Sequence, residues 1–177
     1  YWGGWLDIFL SRILDTIMAF PLFVLAMGIV AALGNTIENI IYATAIINIP
    51  FYARLVRAEV NIRREASFVH AAKMAGNSEI KILAIHIFPN TLPPMMVQVS
   101  LNLGWAILNA AGLSFIGLGV RPPTPEWGIM VAEGANFIVS GEWWLALFPG
   151  LWLMLAVLTF NLLGDGLRDI FDPRKRA

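Results

Sequence analysis

Trp143-Trp144-Leu145-Ala146-Leu147-Phe148-Pro149-Gly150-Leu151-Trp152-Leu153-Met154-Leu155-Ala156-Val157-Leu158-Thr159-Phe160-Asn161-Leu162-Leu163-Gly164 contains no charged side chain. A helix rises 1.5 Å per residue, so crossing a hydrocarbon core of about 30 Å takes roughly 20 apolar residues. Every backbone amide in lipid must be satisfied within its own segment. The run therefore reads as a membrane-spanning helix, with Pro149 near its start. Three further stretches qualify on the same ground: 13–33, broken by Pro21; 37–56, with Pro50 inside; and 92–118. The whole chain agrees with its parts. With 58% hydrophobic residues and a mean hydropathy of +0.71, it carries more apolar surface than a soluble core of 177 residues can bury. The expected fold class is all-α, a polytopic transmembrane helical bundle. Buried helices of a large soluble protein would need neither this length nor the charge asymmetry described next.

Twelve Lys and Arg balance twelve Asp and Glu, so net charge is silent about partners and the placement of the charges carries the information. Arg54, Arg57, Arg63, Arg64, Lys73 and Lys81 fall between the second and third spans, and Arg168, Arg174, Lys175 and Arg176 follow the fourth. The two opposite connections, 34–36 and 119–142, offer only Arg121. Basic residues are retained on the cytoplasmic side, so the two basic segments, with Arg12, are expected inside and the other connections outside. The chain has no cysteine, which excludes disulfide scaffolds, Cys-based zinc sites and thiol nucleophiles. It starts at Tyr1 with no recognisable leader before the first span, and is read as part of a longer chain.

The connection 57–90 is more than a simple tether. Its residues read as helix, turn, helix about Gly76-Asn77. Phe68, Ala71, Ala72 and Ala75 make one expected apolar face, and Ile80, Leu83, Ala84 and Ile87 the other. Gly76 permits a left-handed backbone where the first helix ends. Asn77-Ser78-Glu79 can open the second, with an acid in its first turn. The tip carries small side chains, which suits docking into a groove of another protein. Read from residues alone, a structural hairpin tying two spans together is an equal alternative.

Ala71-Ala72-Lys73-Met74-Ala75-Gly76, followed after nine residues by His86-Ile87-Phe88-Pro89-Asn90, resembles the Glu-Ala-Ala loop of binding-protein-dependent ABC importer permeases. The ending is similar to that of the peptide and nickel branch. His70 stands where the family has its Glu, and Phe88 where it usually has Leu. Ala19-Phe20-Pro21, Tyr52-Ala53-Arg54-Leu55-Val56-Arg57, Leu113-Ser114-Phe115-Ile116-Gly117-Leu118-Gly119, Pro122-Pro123-Thr124-Pro125-Glu126-Trp127-Gly128 and Phe148-Pro149-Gly150 look like dipeptide and oligopeptide permeases. The tail Asn161-Leu162-Leu163-Gly164-Asp165-Gly166-Leu167-Arg168-Asp169, then Asp172-Pro173-Arg174, is similar to the C-type member of the pair.

The resemblance implies a type I ABC importer permease core within one transmembrane domain over 1–177, a multi-pass protein of the bacterial cytoplasmic (inner) membrane, with two more spans before Tyr1. It implies a docking loop for the ATPase, to which His70, Ala71, Ala72, Gly76, Asn77, His86 and Pro89 are assigned. It also implies the partners: a homologous B-type permease subunit, two nucleotide-binding ATPase subunits and an extracytoplasmic solute-binding protein, in a lipid bilayer and without nucleic acid. No catalytic residue, cofactor or metal is expected in this chain. The implied cargo is a peptide or a related small solute: dipeptide, oligopeptide, glutathione or a nickel chelate.

Polar groups in hydrocarbon are costly unless they face a partner or a watery cavity. Gln98, Asn102 and Asn109 share one side of the third span with Trp105 at about 100° per residue. Their amides can donate and accept, so they are candidates for a translocation pathway; hydrogen bonding to neighbouring helices is the alternative. Ala106, Ala110 and Ser114, spaced by four, would let another helix approach closely. Asp15 is three residues from Arg12, an edge ion pair in the making, and Asp165 is expected at the interface. Trp143 and Trp144 suit a membrane boundary.

No Gly-x-x-x-x-Gly-Lys-Ser/Thr loop exists in the chain, so ATP is not bound by that route and the energy must come from another subunit. A serine hydrolase centred on Ser114 lacks a base, because both histidines, His70 and His86, lie in the loop region. A secondary transporter or channel, with the loop as a connector only, is the remaining rival. It would be expected to show internal repeats and deeper charged pairs.

Overall fold

Pro21 divides the first apolar stretch. It has no N–H to give to the preceding turn and disfavours helical geometry at Phe20. In the computed structural model, which describes residues 1–171, α1 (Gly4–Met18) and α2 (Leu22–Leu33) meet there at 86°. The stretch 13–33 is thus not one straight crossing, and α1 begins well before residue 13. Thr36 caps α3 (Ile37–Arg63) by accepting from the Asn39 amide at 3.3 Å. Asn39 Nδ2 in turn closes the α2–α3 turn on the carbonyls of Leu33 and Gly34. Pro50 is buried inside α3, which runs on past the expected end at residue 56.

After α4 (Ser67–Met74) the backbone is helical without interruption from Glu79 to Phe115. It passes through α5 (Glu79–Lys81), a π-helical stretch (Ile82–Ile87) and α6 (Phe88–Phe115). Pro89 at the start of α6, with Pro93 and Pro94 inside it, falls within this continuous run, and each leaves one backbone bond of the ladder unmade. The third span therefore starts well before residue 92, and the second arm of the 57–90 loop is its base rather than a separate helix.

The connection 119–142 also holds an element that span-length reasoning passes over, α7 (Trp127–Ala135). Glu126 caps it through Oε2, which accepts from the Ile129 amide at 3.0 Å. This helix lies against α6 and α8 (Trp144–Phe171), with Gly128 on the Ala111 carbonyl and Gly134 on the backbone of Leu145 and Ala146. The motif Asp172-Pro173-Arg174 and the basic residues Arg174, Lys175 and Arg176 lie outside the described residues.

By length and composition three helices can cross a bilayer, or four when the bent α1–α2 pair counts as one span. Among the described residues the regular structure is entirely helical, and the protein is a polytopic membrane bundle. α6 packs chiefly on α8, and α3 joins α6 to α2 and α1. Two apolar clusters hold it together. Ala26, Val30, Ile40, Ala43, Ile47 and Leu113 join α2, α3 and α6. Val60, Val69, Ala72, Ile82 and Ile87 sit under the loop at the opposite end of α3. Helix exteriors remain apolar and exposed, as lipid-facing surfaces require; Trp152, Leu158 and Leu162 of α8 are examples.

Candidate functional site

Alpha-helix α4 ends in a Schellman motif, the turn expected at Gly76-Asn77. Gly76 has φ +77°, its N–H donates to the Lys73 carbonyl at 3.0 Å, and the Asn77 N–H donates to the Ala72 carbonyl at 3.2 Å. Asn77 Nδ2 adds a second bond to the same carbonyl. Ser78 then caps the next helix by accepting from the Lys81 amide at 3.4 Å. Glu79 in its first turn accepts from Trp2 Nε1 at 2.6 Å. The tip is closed by backbone hydrogen bonds and open in surface, and Met74, 90% exposed, and Ile80, 71% exposed, make it bulkier than the small-residue tip expected.

The buried face of the hairpin differs from the expected one. Val69 and Ala72 are buried in α4, while Phe68, Ala71 and Ala75 are exposed. In the second arm Ile82 and Ile87 are buried, Leu83 is half-buried, and Ile80 and Ala84 are exposed. In the second arm the cause is the π-helical stretch Ile82–Ile87; α4 is α-helical and simply turns Val69 and Ala72 inward. Residues five apart are about 140° apart on an α-helix at 3.6 residues per turn, but i→i+5 bonding brings them nearly over one another. Ile82 and Ile87 can then both reach Val60, Val69 and Ala72.

Among the assigned loop residues, Ala72, Gly76 and Asn77 are joined through the turn. His70 and Ala71 project from the outer face of α4, and Pro89 is exposed at the start of α6. His86 is half-buried, its carbonyl accepting from Asn90 Nδ2 at 2.7 Å.

Between α1, α3 and α6 lies an open cavity of about 1200 Å³. One of the three expected pathway residues, Asn102, lines it. Gln98 stands behind, its Nε2 donating to Asn102 Oδ1 at 3.1 Å. Asn109 does not take part: it is buried and donates to the carbonyl of Trp105 at 2.9 Å. Ala106, Ala110 and Ser114 line the cavity, and Ala110 also packs against the cluster that joins α2, α3 and α6. Close approach occurs on another face of α6, where a side chain at Gly104 would stand 3.2 Å from the Val157 carbonyl of α8. Ser114 Oγ is buried with no hydrogen-bond partner, and the two histidines are on the loop, so it has no base.

Three cavity residues escaped the sequence reading. Asn48 of α3 lines the wall, and its Oδ1 is 3.5 Å from Asn102 Nδ2 while its own Nδ2 donates to the Thr44 carbonyl at 2.7 Å. An amide inside the apolar run 37–56 was the available signal. Arg57 and Asp7, at the loop end of the cavity, form a two-point pair at 2.7 and 2.6 Å. That pair joins residues fifty positions apart and leaves no local pattern. Close by, Asp15 binds Arg54 at 2.5 Å as well as the expected Arg12 at 3.6 Å, so α1 is tied to α3 at two levels. Among the described residues no group of three or more His, Cys, Asp or Glu could hold a metal.

The model of one protein family, described as the binding-protein-dependent transport system inner membrane component, matches residues 1–177. The dipeptide transport system permease protein DppC of Alkalihalophilus pseudofirmus is 48% identical over all of this chain and 58% of its own length. The probable D,D-dipeptide transport system permease protein DdpC of Escherichia coli is 46% identical over 97% of this chain and 57% of its own length. The glutathione transport system permease protein GsiD, also of Escherichia coli, is 45% identical over 98% of this chain and 57% of its own length. The chain thus spans under three fifths of the length of these curated relatives.

Proposed function

The chain belongs to the family of binding-protein-dependent transport system inner membrane components, and on that premise we propose that it is the C-type permease subunit of an ATP-driven ABC importer for peptides. In this reading it sits in the cytoplasmic membrane with the 57–90 loop inside, paired with a homologous permease, two ATPase subunits and an external binding protein. His70, Ala71, Ala72, Gly76, Asn77, His86 and Pro89 belong to the docking loop, and the cavity is this subunit's share of the pathway. Peptides as cargo are supported by the names of the dipeptide permeases it resembles. The chain itself performs no hydrolysis.

One observation carries the reading: helix Glu79–Phe115 starts at the exposed loop tip and continues to the cavity wall with no break. An ATPase that pushes the tip thereby moves Asn102 and Ala106. Residues 1–177 contribute no competing thiol, so a cysteine placed among them can be tested once any thiol elsewhere in the full-length protein is replaced. Met74→Cys, at an exposed position that leaves Gly76 its left-handed backbone, is introduced into the full-length protein in membranes. A short thiol-to-amine cross-linker is expected to join it to a nucleotide-binding subunit, with the yield changing when ATP is added. A chain that stays uncross-linked and still drives uptake would make the loop a connector and remove the docking assignment.

A further inference from the structure

Polar groups are sparse along the cavity wall between its two ends. At the loop end Arg57 and Asp7 neutralise each other. At the other end Glu126 is committed to the Ile129 amide. Ile40, Ile41, Ile49, Leu103 and Ile107 form an aliphatic wall between them. Within this wall the side-chain amides of Asn48 and Asn102 face each other from α3 and α6.

Their orientation is held from both sides. Gln98 donates to Asn102 Oδ1 and leaves Asn102 Nδ2 turned to Asn48. One N–H of Asn48 Nδ2 donates to the Thr44 carbonyl, which turns its Oδ1 toward Asn102 as the facing acceptor. At 3.5 Å the contact between them is the longest in the ladder and at the limit of hydrogen bonding. Asn109, by contrast, is sealed against its own helix and away from the cavity. Two pre-oriented amides that hold each other weakly at the wall of a solute-sized cavity offer a donor and an acceptor to a passing molecule.

We infer that Asn48 and Asn102 form a specificity-determining rung for backbone amides. A residue of an extended peptide lying along this wall replaces their long contact, its N–H donating to Asn48 Oδ1 and its own carbonyl, which points to the same side, accepting from Asn102 Nδ2. Gln98 is a positioning residue that fixes the Asn102 amide. The rung reads neutral amide groups rather than charge, and one such pair binds weakly enough to release the solute. The inference rests on the importer reading and adds to it a residue, Asn48, and a chemical basis for selection.

The test uses the complete importer in proteoliposomes, with labelled di-alanine and its ester analogue, in which oxygen replaces the peptide N–H. The binding protein is the same throughout, so a change in the amide-to-ester uptake ratio between permease variants reports on the permease alone. Asn48→Leu is expected to lower that ratio roughly three- to tenfold, the worth of one neutral hydrogen bond, with ATP hydrolysis still stimulated. Asn48→Gln is expected to restore part of it. Should Asn48→Leu fail to accumulate, Asn48→Ala reads the same ratio. An unchanged ratio in variants that still take up peptide overturns the rung and leaves the importer reading standing. A wild-type importer that moves neither compound removes the peptide reading and the rung with it.

Discussion

A methyl group added to Gly128 would fall on the backbone of Ala111 in α6, and one added to Gly150 would find only Val131 Cγ2 at 3.9 Å. The two glycines look alike in the sequence and differ in what they touch. Gly128→Ala is expected to cost about 1–3 kcal/mol by overpacking, read as a lower unfolding temperature in detergent. Gly150→Ala in α8 is expected to leave that temperature level or slightly raised, since alanine is the better helix former. Equal melting of the two variants would contradict the packing of α7 on α6. Residue-level features of this kind were poorly legible in advance. The three-amide stripe of α6 was visible by its spacing, yet spacing could not separate Asn102, which faces the cavity, from Asn109, which bonds to its own helix. Nor could it supply Asn48, whose partner comes from another span.

Among the elements, the helical hairpin was legible in outline because its signals are local. Gly76 ends one helix and Ser78 caps the next, both within hydrogen-bonding reach of their own neighbours. The buried face of the second arm departs from α-helical periodicity because Ile82–Ile87 is π-helical, while α4 keeps that periodicity and buries Val69 and Ala72 in place of Phe68 and Ala71. The 3.6-residue rule selects Ile80, Leu83, Ala84 and Ile87, whereas the structure buries Ile82 and Ile87 together. Tertiary contact with Val60 and Val69 selects the wider turn, and local sequence does not announce it. Two substitutions test this. Ile82→Ala, at a position the periodic rule leaves out, is expected to destabilise the hairpin by about 2–4 kcal/mol, seen as faster amide exchange over 67–87. Ile80→Ala, at an exposed position, is expected to leave exchange unchanged. The reverse ranking would mean that this segment is α-helical in the membrane.

For the molecule as a whole, the apolar runs made the spans readable, since length and composition alone decide whether a helix fits a bilayer. What they hid was direction within a run: Pro21 announces a break but not its 86° angle, and α7, within a connection, is too short to register as a span. The proposed orientation is open to direct measurement by single cysteines, since residues 1–177 hold no thiol of their own. Met74→Cys is expected to react with a membrane-impermeant maleimide only from the cytoplasmic side, and Val139→Cys, 97% exposed in the other connection, only from outside. Labelling of both from one side would invert or abolish the proposed topology.

The helix Glu79–Phe115 has 37 residues, and at 1.5 Å per residue its contour is about 55 Å. A tilt of about 20° still leaves roughly 50 Å along the bilayer normal, against about 40–45 Å for hydrocarbon and headgroups together. With Phe115 at the outer headgroup boundary, the loop end of the helix clears the lipid surface by roughly 5–10 Å. Its reach is set by bilayer thickness as much as by its own residues. Thick, long-chain lipids should draw the tip into the headgroup layer and withhold it from any soluble partner, while thin ones should lift it free.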